Sequence, residues 1–122
     1  MRVIDTGRGT RIYDFGANIA GWCEIAVKGE AGAKVIIDYD ESLTPANTLL
    51  GDVKIGTKGE DARHPIQHDE YTLAGRAEGE RWHPRFTYHG FRYTEVKIEG
   101  SAGGVVCSFF CCIPVENMVY YL

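Results

Sequence analysis

The residues best suited to chemistry lie in one aromatic and basic segment, residues 81–93. It reads Arg-Trp-His-Pro-Arg-Phe-Thr-Tyr-His-Gly-Phe-Arg-Tyr, and it holds five of the fourteen aromatic residues of the chain together with three arginines. Aromatic faces stack on the C–H faces of sugar rings, and the arginine fork binds hydroxyls and carboxylates. The segment indicates a carbohydrate-binding surface, with Trp22, Trp82 and Tyr88 as candidate stacking residues. The more common explanation of such a segment is a hydrophobic core, in which Trp82, Phe86 and Tyr88 pack inside the fold.

A second candidate is the carboxylate pair Asp38 and Asp40. These residues occupy positions i and i+2 of an expected strand, so they share a face with Cβ atoms about 6–7 Å apart. This spacing overlaps the roughly 6.5–9.5 Å that separates the two carboxyl groups of inverting glycosidases. Any exposed strand with two acids gives the same spacing, and nothing in the sequence indicates a pocket that would raise the pKa of a catalytic acid. We therefore assign no catalytic residue.

Metal and cofactor motifs are weak in this sequence. His64 and His68 have ligand-like spacing, but no Cys-x2-Cys accompanies them, and the cysteines at 107–112 match no common structural-zinc pattern. The acids at 38–41 lack a calcium loop of the EF-hand type. No Walker loop, dinucleotide fingerprint or Gly-x-Ser-x-Gly elbow is present. We expect neither a metal nor a cofactor.

Composition restricts the partners. The chain has 122 residues, with 13 Lys+Arg against 17 Asp+Glu and a net charge of −4. This length predicts one domain, and the acidic balance argues against binding to nucleic acid. No apolar run approaches the ~20 residues of a membrane span, and residues 1–5 do not begin a secretory signal. The scattered cysteines indicate reduced thiols and favour the cytoplasm for this chain, although its compartment stays unassigned.

The elements that must position these residues are predicted to be short antiparallel strands. Every second residue from Cys23 to Val27 is apolar, as is every second residue from Val35 to Tyr39. With a turn at 30–32 between them, these segments predict a hairpin. Further strands are expected at 11–15, 68–73, 85–89, 91–99 and 105–110, a short helix at 44–50 or a loop there, and a long loop at 49–65. Fifteen glycines supply turns, and the whole predicts an all-β antiparallel sandwich or jelly roll.

The strand at 91–99 has an irregular pattern. Phe91 and Tyr93 fall on the face opposite Val96 and Ile98 if the alternation is regular. Either a bulge at Gly90 resets the alternation, or both faces of the start of this strand are covered, which implies another domain or a partner. Both explanations stay open at this stage.

Two segments carry a specific family resemblance. The first runs Tyr-Asp-Phe-Gly-Ala-Asn-Ile-Ala-Gly-Trp at 13–22, followed by Glu41. The second is Asp-Glu-Tyr-Thr-Leu at 69–73 and then Trp-His-Pro-Arg-Phe-Thr-Tyr-His-Gly-Phe-Arg-Tyr at 82–93. Together they resemble the concanavalin-like β-sandwich domain of bacterial α-L-rhamnosidases, over roughly residues 3 to 100. Ala17 departs from this pattern, which prefers Gln there, and the Cys-Ser-Phe-Phe-Cys-Cys stretch at 107–112 is unfamiliar in it.

The resemblance implies a fold, a parent enzyme and a separate domain that carries out catalysis. It implies a jelly-roll sandwich and places the acidic catalytic residues of the parent glycosidase in an (α/α)6 barrel outside this chain. We therefore expect residues 1–104 to form the sandwich, and residues 105–122 to be a last strand or a truncated tail that leads towards that barrel.

Three functions follow as hypotheses. The first is a non-catalytic module that packs on the catalytic barrel of the parent enzyme through the face of Phe91 and Tyr93. The second is a carbohydrate-binding module for rhamnose-containing glycans. The candidate residues for docking or binding are Trp22, Trp82, Tyr88, His89, Phe91, Arg92 and Tyr93. A small hydrolase that uses Asp38 and Asp40 is a third, weaker hypothesis.

Overall fold

The protein is all-β in the residues that its computed structural model describes. These are residues 2–49, 55–57, 60–62, 67–100 and 106–114, with side chains described at 2–49 and 67–100. The strands are β1 (Arg2–Asp5), β2 (Arg11–Lys28), β3 (Lys34–Asp40), β4 (Ile55–Thr57), β5 (Glu60–Ala62), β6 (Gln67–Thr72), β7 (Glu80–Trp82), β8 (His89–Glu99) and β9 (Val106–Pro114). All of their pairings are antiparallel. None of the described segments is a helix long and apolar enough to cross a membrane.

The long strand β2 joins the two layers of the sandwich. Its first half pairs with β1 and β8, and β8 continues the layer through β3 to β6. Its second half pairs with β7 and β9 instead. One strand that changes its neighbours midway is a common way to make the corner of a β-sandwich.

The core lies between these layers. Cys23, Ile25 and Val27 of β2 and the alternate residues Val35 to Tyr39 of β3 are buried in one hydrophobic cluster. The predicted faces are therefore confirmed, but the predicted hairpin is wrong. β3 pairs with β8 and β6, so the turn at 29–33 carries the chain across the core from one layer to the other. Alternation with a turn has the same sequence signature in a hairpin and in such a crossing.

The irregular pattern of β8 has its cause in the neighbouring strand. Asp14 of β2 pairs with Tyr93, and Ile19 pairs with Phe91, so four residues of β2 lie opposite the single residue Arg92. This four-residue bulge resets the alternation. Phe91 and Thr94 both point into the fold and are fully buried. Gly90 itself stays in register with Ala20.

Two other local predictions differ from the structure, and one that left a helix or a loop open is resolved by it. The expected strand at 85–89 is irregular until β8 begins at His89, because Pro84 and a left-handed residue at 86 interrupt it. The segment at 44–49 is a turn closed by a bridge between Leu43 and Leu49, and not a helix. The expected loop at 49–65 contains the two-stranded sheet of β4 and β5. In the tail, β9 at 106–114 pairs with β2, whereas residues 115–122 lie outside the described residues.

Candidate docking and ligand-binding surface

The candidate surface is the loop of residues 83–88, which connects β7 to β8. Its base is held by packing and by a local hydrogen bond. The His83 ring lies 6.1 Å from the Trp22 ring, and His83 Nδ1 donates to the Pro84 carbonyl at 2.9 Å. Pro84 is buried, and its ring fixes φ at this position. The base of the loop is therefore constrained.

The tip of the loop is apolar and exposed. Phe86 is fully exposed and Tyr88 is 65% exposed, although both are large hydrophobic residues. Phe86 also has φ at +62°, in the left-handed region that costs a residue with a Cβ roughly 1–2 kcal/mol. Trp22 and residues 83–88 line a cleft of about 430 Å³. This volume lies in the range of small-ligand sites.

Trp22, which lines this cleft, carries a polar atom without a partner among the described residues. The indole N–H of Trp22 is buried, and no hydrogen-bond acceptor for it lies among the described residues. A buried donor without an acceptor is destabilising by about 1–3 kcal/mol.

A buried hydrogen-bond network lies directly behind the loop. The Tyr39 hydroxyl donates to Asp69 Oδ2 at 2.7 Å, and His89 Nε2 donates to the same oxygen at 3.0 Å. The amide of Gln67 bonds to both backbone groups of Gly90, at 2.6 and 2.9 Å. Burial raises the pKa of the Tyr39 hydroxyl far above its ordinary value, so this hydroxyl remains a donor. The network fixes the start of β8 and therefore the end of the loop.

The four-residue bulge of β2 is closed by an ion pair. Arg92 donates from Nε to Asp14 Oδ1 at 2.9 Å and from Nη2 to Oδ2 at 3.2 Å, and the Gly16 N–H also donates to Asp14. The Arg92 guanidinium lowers the pKa of the Asp14 carboxyl and outweighs its burial, which acts in the other direction. Arg92 also lies 5.0 Å from the centre of the Tyr93 ring. Both Asp14 and Arg92 are therefore used to hold the fold.

The start of β7 is held in the same way by a buried acid. Glu80 accepts the Tyr71 hydroxyl at 2.6 Å and the backbone N–H groups of Ala74 and Gly75 at 2.8 and 3.0 Å. Burial raises the pKa of Glu80, but these hydrogen bonds outweigh it and leave the pKa below its ordinary value. This carboxylate thus organises the turn that leads into β7.

The acid pair proposed from the sequence lies on the outer face of the β3–β6 layer. Asp38 accepts a hydrogen bond from His68 Nδ1, and His68 Nε2 bonds to Glu70 at 2.9 Å. Asp40 accepts from the Ser42 N–H at 3.2 Å. Burial lowers the pKa of His68, but the two carboxylates outweigh it and raise that pKa above its ordinary value. His64, the other histidine of the ligand-like pair, lies outside the described residues.

The candidate residues from the sequence do not form one surface. Trp22 and Tyr88 line the cleft, whereas Trp82 is half-buried and stacks on Tyr71 at 5.2 Å. The expectation of an exposed face with Phe91 is corrected, because Phe91 is fully buried against Phe15 and Tyr39. His89 is buried too, Arg92 pairs with Asp14, and Tyr93 is partly buried beside it.

Phe86 is the residue that sequence reasoning missed. The aromatic pattern assigned Phe86 to the core only, whereas Tyr88 was also a candidate for an exposed surface, and both rings lie in solvent. The only sequence signal was the preceding Pro84, which argues against a regular strand through this segment. A left-handed phenylalanine has no signature of its own in a single sequence.

The chain has relatives among known bacterial enzymes. The model of the bacterial alpha-L-rhamnosidase concanavalin-like domain matches residues 4–109. The chain is 36% identical over 95 residues to an alpha-L-rhamnosidase of Streptomyces avermitilis and 37% identical over 89 residues to one of Formosa agariphila. These matches cover 78% and 73% of this chain but only 8% and 9% of those proteins. The chain therefore spans less than a tenth of the length of these relatives.

Solved structures of α-L-rhamnosidases also contain a segment that resembles this chain. An alpha-L-rhamnosidase from Dictyoglumus thermophilum superposes with a TM-score of 0.67 at 31% identity, over 90% of this chain and 11% of that protein. The Streptomyces avermitilis alpha-L-rhamnosidase complexed with L-rhamnose gives a TM-score of 0.65 at 32% identity, over 91% and 10%. A rhamnosidase from Klebsiella oxytoca, at 15% identity and a TM-score of 0.56, shares the fold.

Proposed function

Because the chain belongs to the bacterial α-L-rhamnosidase concanavalin-like domain family, we propose that it is a non-catalytic module that supports the (α/α)6 catalytic domain of such an enzyme. The observation that carries this proposal is the use of its buried carboxyl groups. Asp14, Asp69 and Glu80 are each hydrogen-bonded by side chains or backbone groups of the fold itself. A glycosidase needs two carboxyl groups that flank an open sugar site. The buried acids of this module serve its architecture instead.

The lengths of the relatives also support a module that is one part of a larger enzyme. The matched segment is about a tenth of each of the superposed enzymes from Dictyoglumus and Streptomyces, so nine tenths of those chains lie outside it. A sandwich of this size is suited to pack on a larger neighbour through a limited interface, as domains within one chain commonly do.

The test uses the Streptomyces avermitilis α-L-rhamnosidase as a host. In a chimera, this chain replaces the matched segment of the host, and in a second protein that segment is deleted. We expect the chimera to hydrolyse an aryl α-L-rhamnoside and to unfold at a higher temperature than the deletion protein. We expect no turnover by the 122-residue chain alone. Hydrolysis by the chain alone, or a deletion protein as stable and active as the chimera, would contradict the proposal.

A second candidate function is carbohydrate binding at the cleft. The specific observation in its favour is the cleft of about 430 Å³ beside Trp22, where Tyr88 offers an exposed ring. Affinity electrophoresis of the chain in gels that contain rhamnose-rich glycans tests it. Retardation that Tyr88→Ala removes would support binding, and unchanged mobility across a glycan panel would exclude it.

A further inference from the structure

The loop 83–88 exposes more apolar surface at its tip than a free surface loop requires. Phe86 is fully exposed and Tyr88 is 65% exposed, and together with Val3 they are the large hydrophobic residues exposed among the described side chains. Two aromatic rings at one loop tip form a small patch of the kind that marks protein interfaces. Aromatic residues also dominate the energetic centres of such interfaces.

The fold holds the Phe86 ring out in solvent. Pro84 is buried at the base of the loop, and the ring of His83 packs beside that of Trp22. At the other end, His89 is tied to the buried Asp69. Between these anchors, Phe86 has φ at +62°, a conformation that persists when the surrounding structure imposes it and that is concentrated at binding sites. The backbone of the loop is therefore held in advance, which reduces the backbone entropy lost on association.

The surroundings of Phe86 add a polar requirement. Arg85 is exposed next to Phe86 and gives the tip a positive charge. A complementary surface therefore has an apolar pocket for one ring and oxygen atoms around it, from carbonyl or carboxylate groups.

The geometry points to the catalytic domain of the same enzyme as the occupant of this surface, and we propose that Phe86 is the anchor by which the module docks on it. The inference rests on the function proposed above. The length of polypeptide outside the module in the matched enzymes favours a partner in the same chain over a second copy of the module, since about nine tenths of those proteins are available to cover it. Phe86 enters an apolar pocket of that domain, and Arg85 donates to oxygen atoms at its rim.

The experiment introduces Phe86→Ser into the Streptomyces chimera and follows native-state proteolysis of the segments that connect the module to its neighbours. The cleavage rate reports the undocked population when undocking is fast relative to cleavage. Loss of an aromatic anchor at an interface centre is expected to raise that rate about tenfold or more. Val3→Ser is the matched control, because Val3 is the third exposed large hydrophobic residue among the described side chains and lies in β1, where it pairs with Tyr13 of β2. Its rate is expected to stay within about twofold of the parent chimera.

The outcomes separate the anchor from the general function. A Phe86→Ser chimera cleaved no faster than its parent, while the deletion protein is unstable, would overturn the anchor and leave the supporting role intact. A parent chimera that does not keep the module docked would overturn both. The urea midpoint of the isolated chain is expected to stay unchanged in Phe86→Ser. A lower midpoint would mean that the faster cleavage comes from unfolding of the module, and it would overturn the assignment of the effect to docking.

Discussion

Phe86 and Phe91 share a residue type and lie five positions apart, but one ring is in solvent and the other in the core. We therefore expect opposite effects of the same substitution in the isolated chain. Phe91→Ala removes a ring packed against Phe15 and Tyr39, and is expected to lower the free energy of unfolding by about 3–5 kcal/mol. Phe86→Ala is expected to change it by less than about 0.5 kcal/mol. Urea denaturation of both variants checks this, and equal effects would contradict the assignment of the two environments.

A second residue, His68, gives the outer face of the β3–β6 layer a dependence on pH. Burial lowers the pKa of His68, but the hydrogen bonds and charges of Asp38 and Glu70 together outweigh it and raise that pKa in the folded protein. The stabilisation is fully present below the unfolded histidine pKa of about 6.5, and it is lost as the pH rises through the higher folded pKa. The difference in melting temperature between the wild type and His68→Gln is therefore expected to be larger at pH 6 than at pH 8.5. A difference that does not change with pH would show that the two ion pairs contribute nothing.

At the level of elements, local patterns predicted which residues face the core better than they predicted which strands are neighbours. The alternation from Cys23 to Val27 and from Val35 to Tyr39 is a property of each strand alone, and the burial of these residues follows it. Pairing depends on where the chain goes after a turn. The segment at 29–33 crosses between layers, whereas a hairpin would satisfy the same local pattern.

The candidate surface was predicted only in part, for a similar reason. Trp22 and Tyr88 were identified from residue type, and both line the cleft. The bulge that turns Phe91 inward depends on four residues of β2 that lie opposite Arg92, 70 or more positions away in the sequence. A single strand pattern contains no information about its neighbour, so the start of β8 had two possible interpretations. The exposure of Phe86 at the loop tip was missed.

The turn before β7 is an element whose shape depends on one carboxylate. Glu80→Gln keeps the size of the side chain but replaces an acceptor oxygen with an amide group that faces backbone donors, so a loss of about 1–3 kcal/mol is expected at pH 7. Because the folded pKa of Glu80 is lowered, its stabilisation is present above the unfolded value of 4.5 and is lost as the pH falls through the folded pKa. The destabilisation measured in urea is therefore expected to shrink in acid. Tyr88→Phe, at an exposed hydroxyl, serves as a control without effect.

At the scale of the whole molecule, the shared strand decides how the sandwich holds together. β2 contributes its first half to the layer of β8 and β3 and its second half to the layer of β7 and β9. The two layers also enclose one hydrophobic cluster, to which both contribute. Neither layer can lose its order without exposing the face that the other buries, so the two are expected to unfold together.

This coupling predicts coincident unfolding transitions for two different probes. Trp22 and Trp82 lie in the second half of β2 and in β7, so tryptophan fluorescence reports one layer, whereas far-ultraviolet circular dichroism reports all strands. The urea midpoints from the two signals are expected to agree. Phe91 lies in β8, in the other layer. Phe91→Ala is expected to move both midpoints equally, because the lost ring belongs to the core that both layers share. Separate midpoints, or a shift in the dichroism signal alone, would mean that the layers fold independently and that β2 does not couple them.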